Sequence, residues 1–205
     1  MTDSVPTRSK LALKGSSRIV SDFFEYSIHS ILYQRGIYPP EDFQTVRKYG
    51  LNMVVSTDDE LQSYIKRIMK QLHRWIYGGS ISRLVVAIVS KDSGETVEKW
   101  QFNLEINKES PETVEEAANK PNEQIQREIQ AIIRQITASV TFLPELDDEC
   151  TFNVLVYADQ NCRVPEEWGD SRTQELTGEV ENVKFRSFST DNHRVDALVS
   201  YKFSR

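Results

Sequence analysis

The sequence predicts an α+β fold in which three helices cover one face of a mostly antiparallel β-sheet. Three segments carry apolar residues at the three- and four-residue spacing of an amphipathic helix, and several others show the continuous or alternating apolar pattern of strands. No shift in composition and no internal repeat divides the chain. One domain over residues 1–205 is therefore predicted, and the hydrophobic content of 39% allows a sizeable core.

The first helix is predicted to begin at Ser16, after a flexible lead-in over residues 1–12. Gly36 fits just past the end of this helix, and YPPEDF (38–43) then continues as a turn. The apolar stripe of the helix comprises Val20, Phe23, Phe24, Ile28, Ile31 and Leu32.

The second and third helices have clear boundaries. Thr57 is the predicted N-cap of the second helix, with Glu60 completing a capping box, and Gly78 ends the helix. The third helix follows an acidic, proline-containing segment over residues 107–122, which is predicted to be an exposed loop, and Pro144 closes it. Their stripes are Leu61, Ile65, Ile68, Leu72, Trp75 and Ile76 in the second helix, and Ile125, Ile129, Ile132, Ile133, Ile136 and Val140 in the third.

Five segments are predicted to be strands. RLVVAIVS (83–90) is apolar throughout, which is typical of a central strand, and EKWQFNLEI (98–106) alternates strictly, so the two form a hairpin across the turn KDSG. The other three strands are CTFNVLVYA (150–158), KFRSF (184–188) and VDALVSYKF (195–203).

The last strand has an unusual place. Chain ends are usually frayed and polar, yet Val195, Ala197, Val199, Tyr201 and Phe203 share one side of a two-residue repeat at the very end. A long polar stretch over residues 159–183 precedes this part of the chain. The pattern alone favours an ordinary C-terminal hairpin that never moves.

Composition limits the possible functions. The net charge of −6 argues against a nucleic-acid binder, because such proteins usually present a basic face. Cys150 and Cys162 form no metal-binding motif and are predicted to be free thiols in a reducing compartment. There is no apolar N-terminal leader and no span of about 18 apolar residues, so an intracellular, soluble protein without a membrane span is predicted.

Motifs for catalysis are missing from the sequence. It contains no GxGxxG, GxxxxGK[ST], HExxH or GxSxG pattern, and the three histidines are dispersed. The acidic pairs Asp58/Asp59 and Asp147/Asp148 fit a helix start and a loop better than acid–base chemistry. We therefore expect a binding module rather than an enzyme, with no cofactor and no metal.

Five strings, in order along the chain, carry a family resemblance. They are SILYQRGIYP (30–39), KYGL (48–51), WQF (100–102), IRQITASVTFLP (133–144) and RSFST (186–190). Together they resemble the HORMA-domain spindle-checkpoint proteins of the mitotic-arrest-deficient family, and the fungal members most of all. The resemblance runs from about Leu13 to Phe203. A second HORMA class, the accessory subunit of the translesion DNA polymerase, is the alternative.

The resemblance implies a conformational switch with an open and a closed form. The core would comprise residues 13–158, and residues 159–205 would form a mobile C-terminal safety belt. Such a protein captures a short peptide motif of the kinetochore-anchored mitotic-arrest-deficient partner, or of the cell-division-cycle co-activator of the anaphase-promoting complex. Capture of the co-activator inhibits that ubiquitin ligase and delays anaphase.

The resemblance also implies further partners and a location. These are other subunits of the mitotic checkpoint complex, a second copy of the chain in an open–closed homodimer, and a remodelling AAA+ ATPase with its HORMA adaptor. The expected location is the nucleus, the kinetochore, the nuclear envelope and the cytoplasm.

Site residues follow from the resemblance together with the strand pattern. The edge of strand 151–158 would accept the partner peptide as an added strand, under the belt. The residues predicted to bind the peptide are Trp75, Phe152, Val154, Val156, Tyr157 and Tyr201. Those predicted to form a dimer face are Arg134, Gln135 and Phe142. Those predicted to act in the switch are Leu13, Val195, Ala197 and Val199. Some relatives carry a phosphorylatable serine where Ala197 stands, which puts phosphorylation there in doubt.

Overall fold

The computed structural model of the chain describes residues 8–107, 120–172 and 174–203. Its helices are α1 (Arg8–Gln34), α2 (Asp59–Tyr77) and α3 (Asn122–Ala138), with short 3-10 turns at Pro40–Asp42 and Ser139–Thr141. Its strands are β1 (Phe43–Lys48), β2 (Leu51–Ser56), β3 (Ile81–Ser90), β4 (Thr96–Ile106), β5 (Cys150–Ala158), β6 (Val180–Ser189) and β7 (His193–Lys202). The three predicted helices and five predicted strands are thus confirmed as elements.

Five of the strands form one antiparallel sheet in the order β5-β3-β4-β7-β6. The hairpin of β3 and β4 is confirmed, and β3 lies between β4 and β5. Both faces of β3 are buried, which explains why its sequence is apolar without alternation. The C-terminal hairpin of β6 and β7 extends the sheet on the β4 side.

The hydrophobic core lies between the helices and one face of this sheet. Phe23 of α1 is central to it, because its ring contacts the rings of Phe102 on β4 and Phe188 on β6 at centroid distances of 5.8 and 4.8 Å. All three side chains are at most 1% exposed. Burying one such side chain stabilises the fold by about 1.5–3 kcal/mol, so α1 holds the C-terminal hairpin to the core.

Two helix starts differ from the prediction. Helix α1 begins at Arg8 rather than Ser16, so Leu13 lies inside the helix and not before it. In α2 the N-cap is Asp58 and not Thr57, because the Asp58 Oδ1 accepts a hydrogen bond from the Leu61 backbone N–H at 2.7 Å. The predicted capping box at Thr57 is therefore wrong, and the N-cap lies one residue later. The Asp58 carboxylate itself satisfies the Leu61 N–H.

Two segment ends also differ. Helix α3 gives way to a 3-10 turn after Ala138, and Val140 is 46% exposed, so it does not belong to the buried stripe. Phe203 lies beyond the end of β7 and is 48% exposed, so it does not share the buried face of that strand. The predicted loop over residues 107–122 falls mostly on residues 108–119, which lie outside the described residues.

The hairpin of β1 and β2 was not predicted. Its two-residue turn is Tyr49-Gly50, and both residues have positive φ angles, of 53° and 67°. This turn matches the right-handed twist of a hairpin, but Asn or Asp usually takes the first position. The available sequence signal was the Tyr-Gly pair, which lies between two short segments that each contain β-branched residues.

Candidate functional site

One edge of the main sheet carries no strand in the part of the chain that the structure describes. Strand β5 pairs with β3 on one side only. The C-terminal hairpin occupies the opposite side, beyond β4. The outer edge of β5 therefore presents a row of backbone N–H and C=O groups to which a further strand can bond.

A cavity of about 410 Å³ lies along this edge. One wall is the second half of β5, from Val154 to Ala158, with the Trp75 side chain of α2. The other wall is the chain that leaves β5, and we call its described residues 159–172 and 174–179 the belt segment. Belt residues on this wall include Cys162, Val164, Trp168 and Arg172. The cavity thus has backbone bonding groups on one side and an irregular covering segment on the other.

Among the contacts of the belt segment, three hold it next to the cavity. The Asp159 N–H donates to the Ser80 carbonyl at 2.8 Å, which fixes the start of the segment. The Trp75 Nε1–H donates to the Arg163 carbonyl at 3.3 Å. The indole rings of Trp75 and Trp168 pack edge to face at 4.9 Å. Both tryptophan contacts link α2 to the belt segment, so Trp75 serves the cavity and its cover together.

The two faces of the sheet give the cavity two kinds of surface. Val154 and Val156 are partly buried against the main core, on the helix side. Tyr157 points to the other face, where the Arg83 guanidinium lies 4.9 Å from its ring centroid. Alternate side chains of an added strand would therefore meet an aliphatic surface on one face and a cation–aromatic pair on the other.

Four of the six residues predicted to bind a peptide line this cavity, namely Trp75, Val154, Val156 and Tyr157. Phe152 lies further back on β5, where it is 7% exposed and its ring contacts those of Tyr38 and Tyr64. Tyr201 is not brought to the cavity. It lies on β7, on the far side of β4, and its hydroxyl donates to Glu181.

Sequence reasoning missed the covering residues, Trp168 above all. A single tryptophan in the polar stretch VPEEWGD was the available signal, because a large apolar residue in a polar segment normally has a surface to cover. Within the described residues, no group of three or more His, Cys, Asp or Glu side chains is arranged to hold a metal ion. None of the described helices combines the length and apolar character that crossing a bilayer requires.

The comparisons with known proteins decide the family. Residues 16–193 match the HORMA domain family. The chain belongs to the HORMA family. Among its relatives, the mitotic spindle checkpoint component mad2 of Schizosaccharomyces pombe is 54% identical over 97% of this chain and 98% of its own length. This HORMA chain therefore falls in the spindle-checkpoint group, as the resemblance predicted, and the similarity to fungal members is confirmed.

Solved structures agree with this HORMA assignment. A chain in the crystal structure of a mitotic checkpoint complex superposes with a TM-score of 0.84 at 53% identity, covering 92% of this chain and 99% of that one. The structure of Caenorhabditis elegans HTP-1 bound to HTP-3 motif-1 gives a TM-score of 0.75 over 98% of this chain and 92% of that one. At 16% identity it supports the fold alone. These matches confirm the predicted HORMA fold.

The residues predicted to act in the HORMA switch lie in two places. Val195, Ala197 and Val199 are buried on β7, opposite Leu104, Phe102 and Trp100 of β4. Leu13 is half-buried on α1, one turn before Ser17, whose hydroxyl donates to the Leu13 carbonyl at 2.8 Å. The structure therefore does not join Leu13 directly to the other three.

A buried polar cluster links α1 to the turn of the HORMA C-terminal hairpin. The Ser16 Oγ lies 2.5 Å from the Thr190 Oγ1 and 2.6 Å from the His193 Nδ1. Burial lowers the pKa of His193, and the Ile76 backbone carbonyl opposes this effect. A neutral imidazole is favoured here, so α1 and the hairpin meet through uncharged groups.

The predicted dimer residues of this HORMA chain lie on and after α3. Arg134 is exposed, and Phe142 is 40% exposed, so both are accessible. Gln135 is engaged within the chain, because its Oε1 accepts the Arg186 N–H of β6 at 2.7 Å. Gln135 thus ties α3 to the C-terminal hairpin and would join an interface only together with β6.

Proposed function

We propose that the chain is a spindle-checkpoint switch that captures a short peptide at the β5 edge, under the belt segment. The observation that carries this proposal is the outer edge of β5, which pairs with none of the described strands and faces the belt segment across a lined cavity. Membership of the spindle-checkpoint group supports the cellular role, and it favours the checkpoint over the accessory subunit of a translesion polymerase. The role is regulatory and non-enzymatic.

Binding proceeds by β-augmentation, in which the peptide adds to the sheet as a strand beside β5. The backbone groups of Val154 to Ala158 supply hydrogen bonds that do not depend on the peptide sequence. Selection comes from the side chains, since Val156 and Trp75 favour apolar residues on the helix side. Tyr157 favours residues that can stack on the other face.

The position of the C-terminal hairpin corresponds to the closed form of such a switch. Because β7 is bonded to β4, the hairpin leaves the β5 edge open to the captured peptide, which we call the guest. The belt segment then passes over the guest. In the open form we place the hairpin on the β5 edge, where it blocks the site. The two packings then differ by roughly a few kcal/mol, and a guest that shifts the population from 1:99 to 99:1 needs about 5.5 kcal/mol of differential affinity.

The proposed structural core of the switch is residues 13–158, and its C-terminal safety belt is residues 159–205, which comprise the belt segment and the C-terminal hairpin. The guests are motifs of the mitotic-arrest-deficient kinetochore partner and of the cell-division-cycle co-activator, within the mitotic checkpoint complex. A second copy of the chain binds through the Arg134 face, and an AAA+ ATPase with its HORMA adaptor reopens the closed form. The chain acts in the nucleus, at kinetochores and at the nuclear envelope, and in the cytoplasm.

The test uses a fluorescein-labelled peptide that carries the co-activator motif, with binding followed by fluorescence anisotropy. Two N-methylated versions of this peptide block alternate backbone N–H groups. If the peptide adds as a strand, one version loses most of its binding, because its blocked groups face β5, and the other version binds nearly normally. Equal loss or equal retention for both versions would contradict strand addition.

A second arm of the test addresses the branch of the family. The full chain is used to capture partners from mitotic extract of the source organism, and the recovered proteins are identified by mass spectrometry. The checkpoint role predicts recovery of the co-activator. Recovery of a polymerase catalytic subunit without the co-activator would overturn the role while leaving peptide capture intact.

A further inference from the structure

A second cavity opens beside the first, and three basic side chains of α2 line it. It measures about 810 Å³ and lies between α2 and the turn of the belt segment at residues 165–169. Arg67, Lys70 and Arg74 line its α2 side. Val154, Trp168 and Gly169 line both cavities, so a chain that occupies the first cavity passes next to the second.

The charge of this second cavity is unbalanced. Three cations line it against one carboxylate, that of Glu167. Within the described parts of the chain, no salt bridge involves Arg67, Lys70 or Arg74, although the chain as a whole carries a net charge of −6. Like charges three and four residues apart on a helix repel one another and destabilise it. An anionic group that binds beside these three cations would reduce the repulsion and stabilise the helix.

We infer that this basic surface, Arg67, Lys70 and Arg74, binds carboxylate side chains that flank the captured segment of the partner. This inference rests on the proposed function. The captured peptide would then be an apolar strand with an acidic extension. Tyr64 and Trp168 give the same cavity aromatic walls. An Asp or Glu of the extension would bind between these walls and the three cations.

The direction of α2 explains how one guest can reach both cavities. The Tyr64 ring lies 5.9 Å from that of Phe152 near the start of β5. Trp75, three turns later on α2, lines the first cavity beside the end of β5. Helix α2 thus runs alongside the β5 edge, and its basic residues lie between these two points, within reach of side chains next to the bound strand.

A nucleic acid is the other polyanion that could meet a basic surface. The geometry favours the acidic peptide, because the cations line a cavity that adjoins the strand site and includes Glu167. A nucleic acid binder more often presents a broad basic face, which a chain with a net charge of −6 lacks.

The experiment compares six labelled peptides on the full chain, in which three extensions are each placed at either end of one motif. All carry the same co-activator motif, and each is extended by Glu-Asp-Glu-Asp, Gln-Asn-Gln-Asn or Lys-Arg-Lys-Arg, at one end or the other. For one of the two ends, the acidic extension is expected to bind about fivefold to tenfold more tightly than the neutral one in 50 mM salt, with the basic extension weakest. The difference between acidic and neutral extensions shrinks in 500 mM salt, because exposed charges are screened.

A matched pair of variants assigns the effect. R67Q/K70Q/R74Q is expected to remove the preference for the acidic extension while it still binds the neutral peptide. R47Q/R127Q/K184Q loses the same formal charge from exposed positions outside this cavity, and it is expected to keep the preference.

Each contrary outcome has a distinct meaning. Equal affinity for acidic and neutral extensions at both ends overturns the inference and leaves the proposed function intact. Loss of the preference in both variants overturns it as well, because the effect then belongs to the overall charge. A chain that captures none of the six peptides overturns the proposed function and the inference together. A labelled 20-base DNA bound as tightly as the acidic peptide assigns the surface to nucleic acid.

Discussion

The ring of Trp168 packs edge to face on the ring of Trp75, with centroids 4.9 Å apart and planes at 72°. This contact joins the belt segment to α2 directly beside the cavity at the β5 edge. Aromatic pairs of this geometry contribute about 0.5–1.5 kcal/mol beyond the burial of their area. The pair is therefore a latch between the cover of the site and the core.

The first prediction concerns this latch. We expect Trp168→Ala to accelerate dissociation of the captured peptide by about tenfold to a hundredfold, since the variant loses the ring contact and part of the apolar burial. Stopped-flow measurement of peptide release gives the rate. Tyr77→Ala, at a 42% exposed aromatic of α2 outside both cavities, is the matched control and is expected to change little. An unchanged release rate for the Trp168 variant would show that the belt does not retain the guest.

The second prediction concerns self-association. Arg134 is exposed on α3 and lies on the proposed dimer face, so we expect Arg134→Ala to weaken the proposed dimer by about 1–2 kcal/mol while peptide affinity stays the same. Sedimentation velocity with and without the peptide measures both species. Arg127→Ala, at another exposed arginine of the same helix, is the control. If Arg127→Ala weakens the dimer as much as Arg134→Ala does, the interface lies elsewhere on α3.

The third prediction concerns pH. His29 is 4% exposed, and burial lowers its pKa to about 4 from an ordinary value near 6.5. Its Nδ1 accepts the Ser56 N–H at 3.2 Å, which requires the neutral ring. The unfolded chain therefore binds this proton more readily, and stability present above pH 6.5 falls as the pH drops from there towards 4. The predicted loss is up to about 3 kcal/mol.

Urea unfolding at pH 7.5, 6 and 5 measures this dependence. His29→Gln keeps an acceptor for the Ser56 N–H but does not titrate, so its free energy of unfolding is expected to fall less between pH 7.5 and 5. His193, whose pKa burial also lowers, still contributes in the same direction. A His29→Gln variant with the full pH dependence of the parent would assign the effect to other groups.

The fourth prediction concerns a buried ion pair. The Arg35 Nε lies 3.0 Å from both oxygens of Glu98, the Trp100 Nε1–H donates to the same carboxylate at 2.6 Å, and the Arg35 Nη2 donates to the Pro144 carbonyl at 2.6 Å. Burial raises the pKa of Glu98 against the opposing effects of Arg35 and Trp100. We expect Arg35→Met to destabilise the fold by about 3–5 kcal/mol, because it leaves a buried carboxylate without its cation.

Urea unfolding again gives the measurement, with two further variants for comparison. Arg35→Met/Glu98→Gln is expected to recover part of the loss, since the buried charge is then absent. Arg47→Met, at an exposed arginine, is expected to change the free energy of unfolding by less than about 0.5 kcal/mol. A loss below about 1 kcal/mol for Arg35→Met would mean that Glu98 takes up a proton and needs no partner.

The local elements were predictable where the pattern is strong. The stripe of α2, from Leu61 to Ile76, and the alternation of β4 as far as Leu104 each bury their side chains as their periods predict. The prediction that Ile106 continues the buried face of β4 is wrong, because Ile106 lies at the end of the strand and is 37% exposed. Predictions failed where two nearby residues compete for one role, as Thr57 and Asp58 do for the N-cap. They also failed where a turn lacks its usual residues, as at Tyr49-Gly50.

The candidate site was predictable only in part, and for a different reason. Val154, Val156 and Tyr157 follow from one strand, but the role of Trp168 depends on where the belt segment crosses. Tyr201 shows the converse, because its alternation with Val199 is correct and yet β7 lies on the side of the sheet away from the cavity.

The sequence by itself determined the three helices, five of the described strands, including β7, and the family, because periodicity and motifs are local properties. Only the tertiary structure decided that β7 bonds to β4 and that none of the described strands pairs with the outer edge of β5. The C-terminal hairpin could form equally good backbone hydrogen bonds with the edge of β4 or with the edge of β5. Strand order therefore depends on side-chain packing between distant segments, such as that of Phe23 with Phe188.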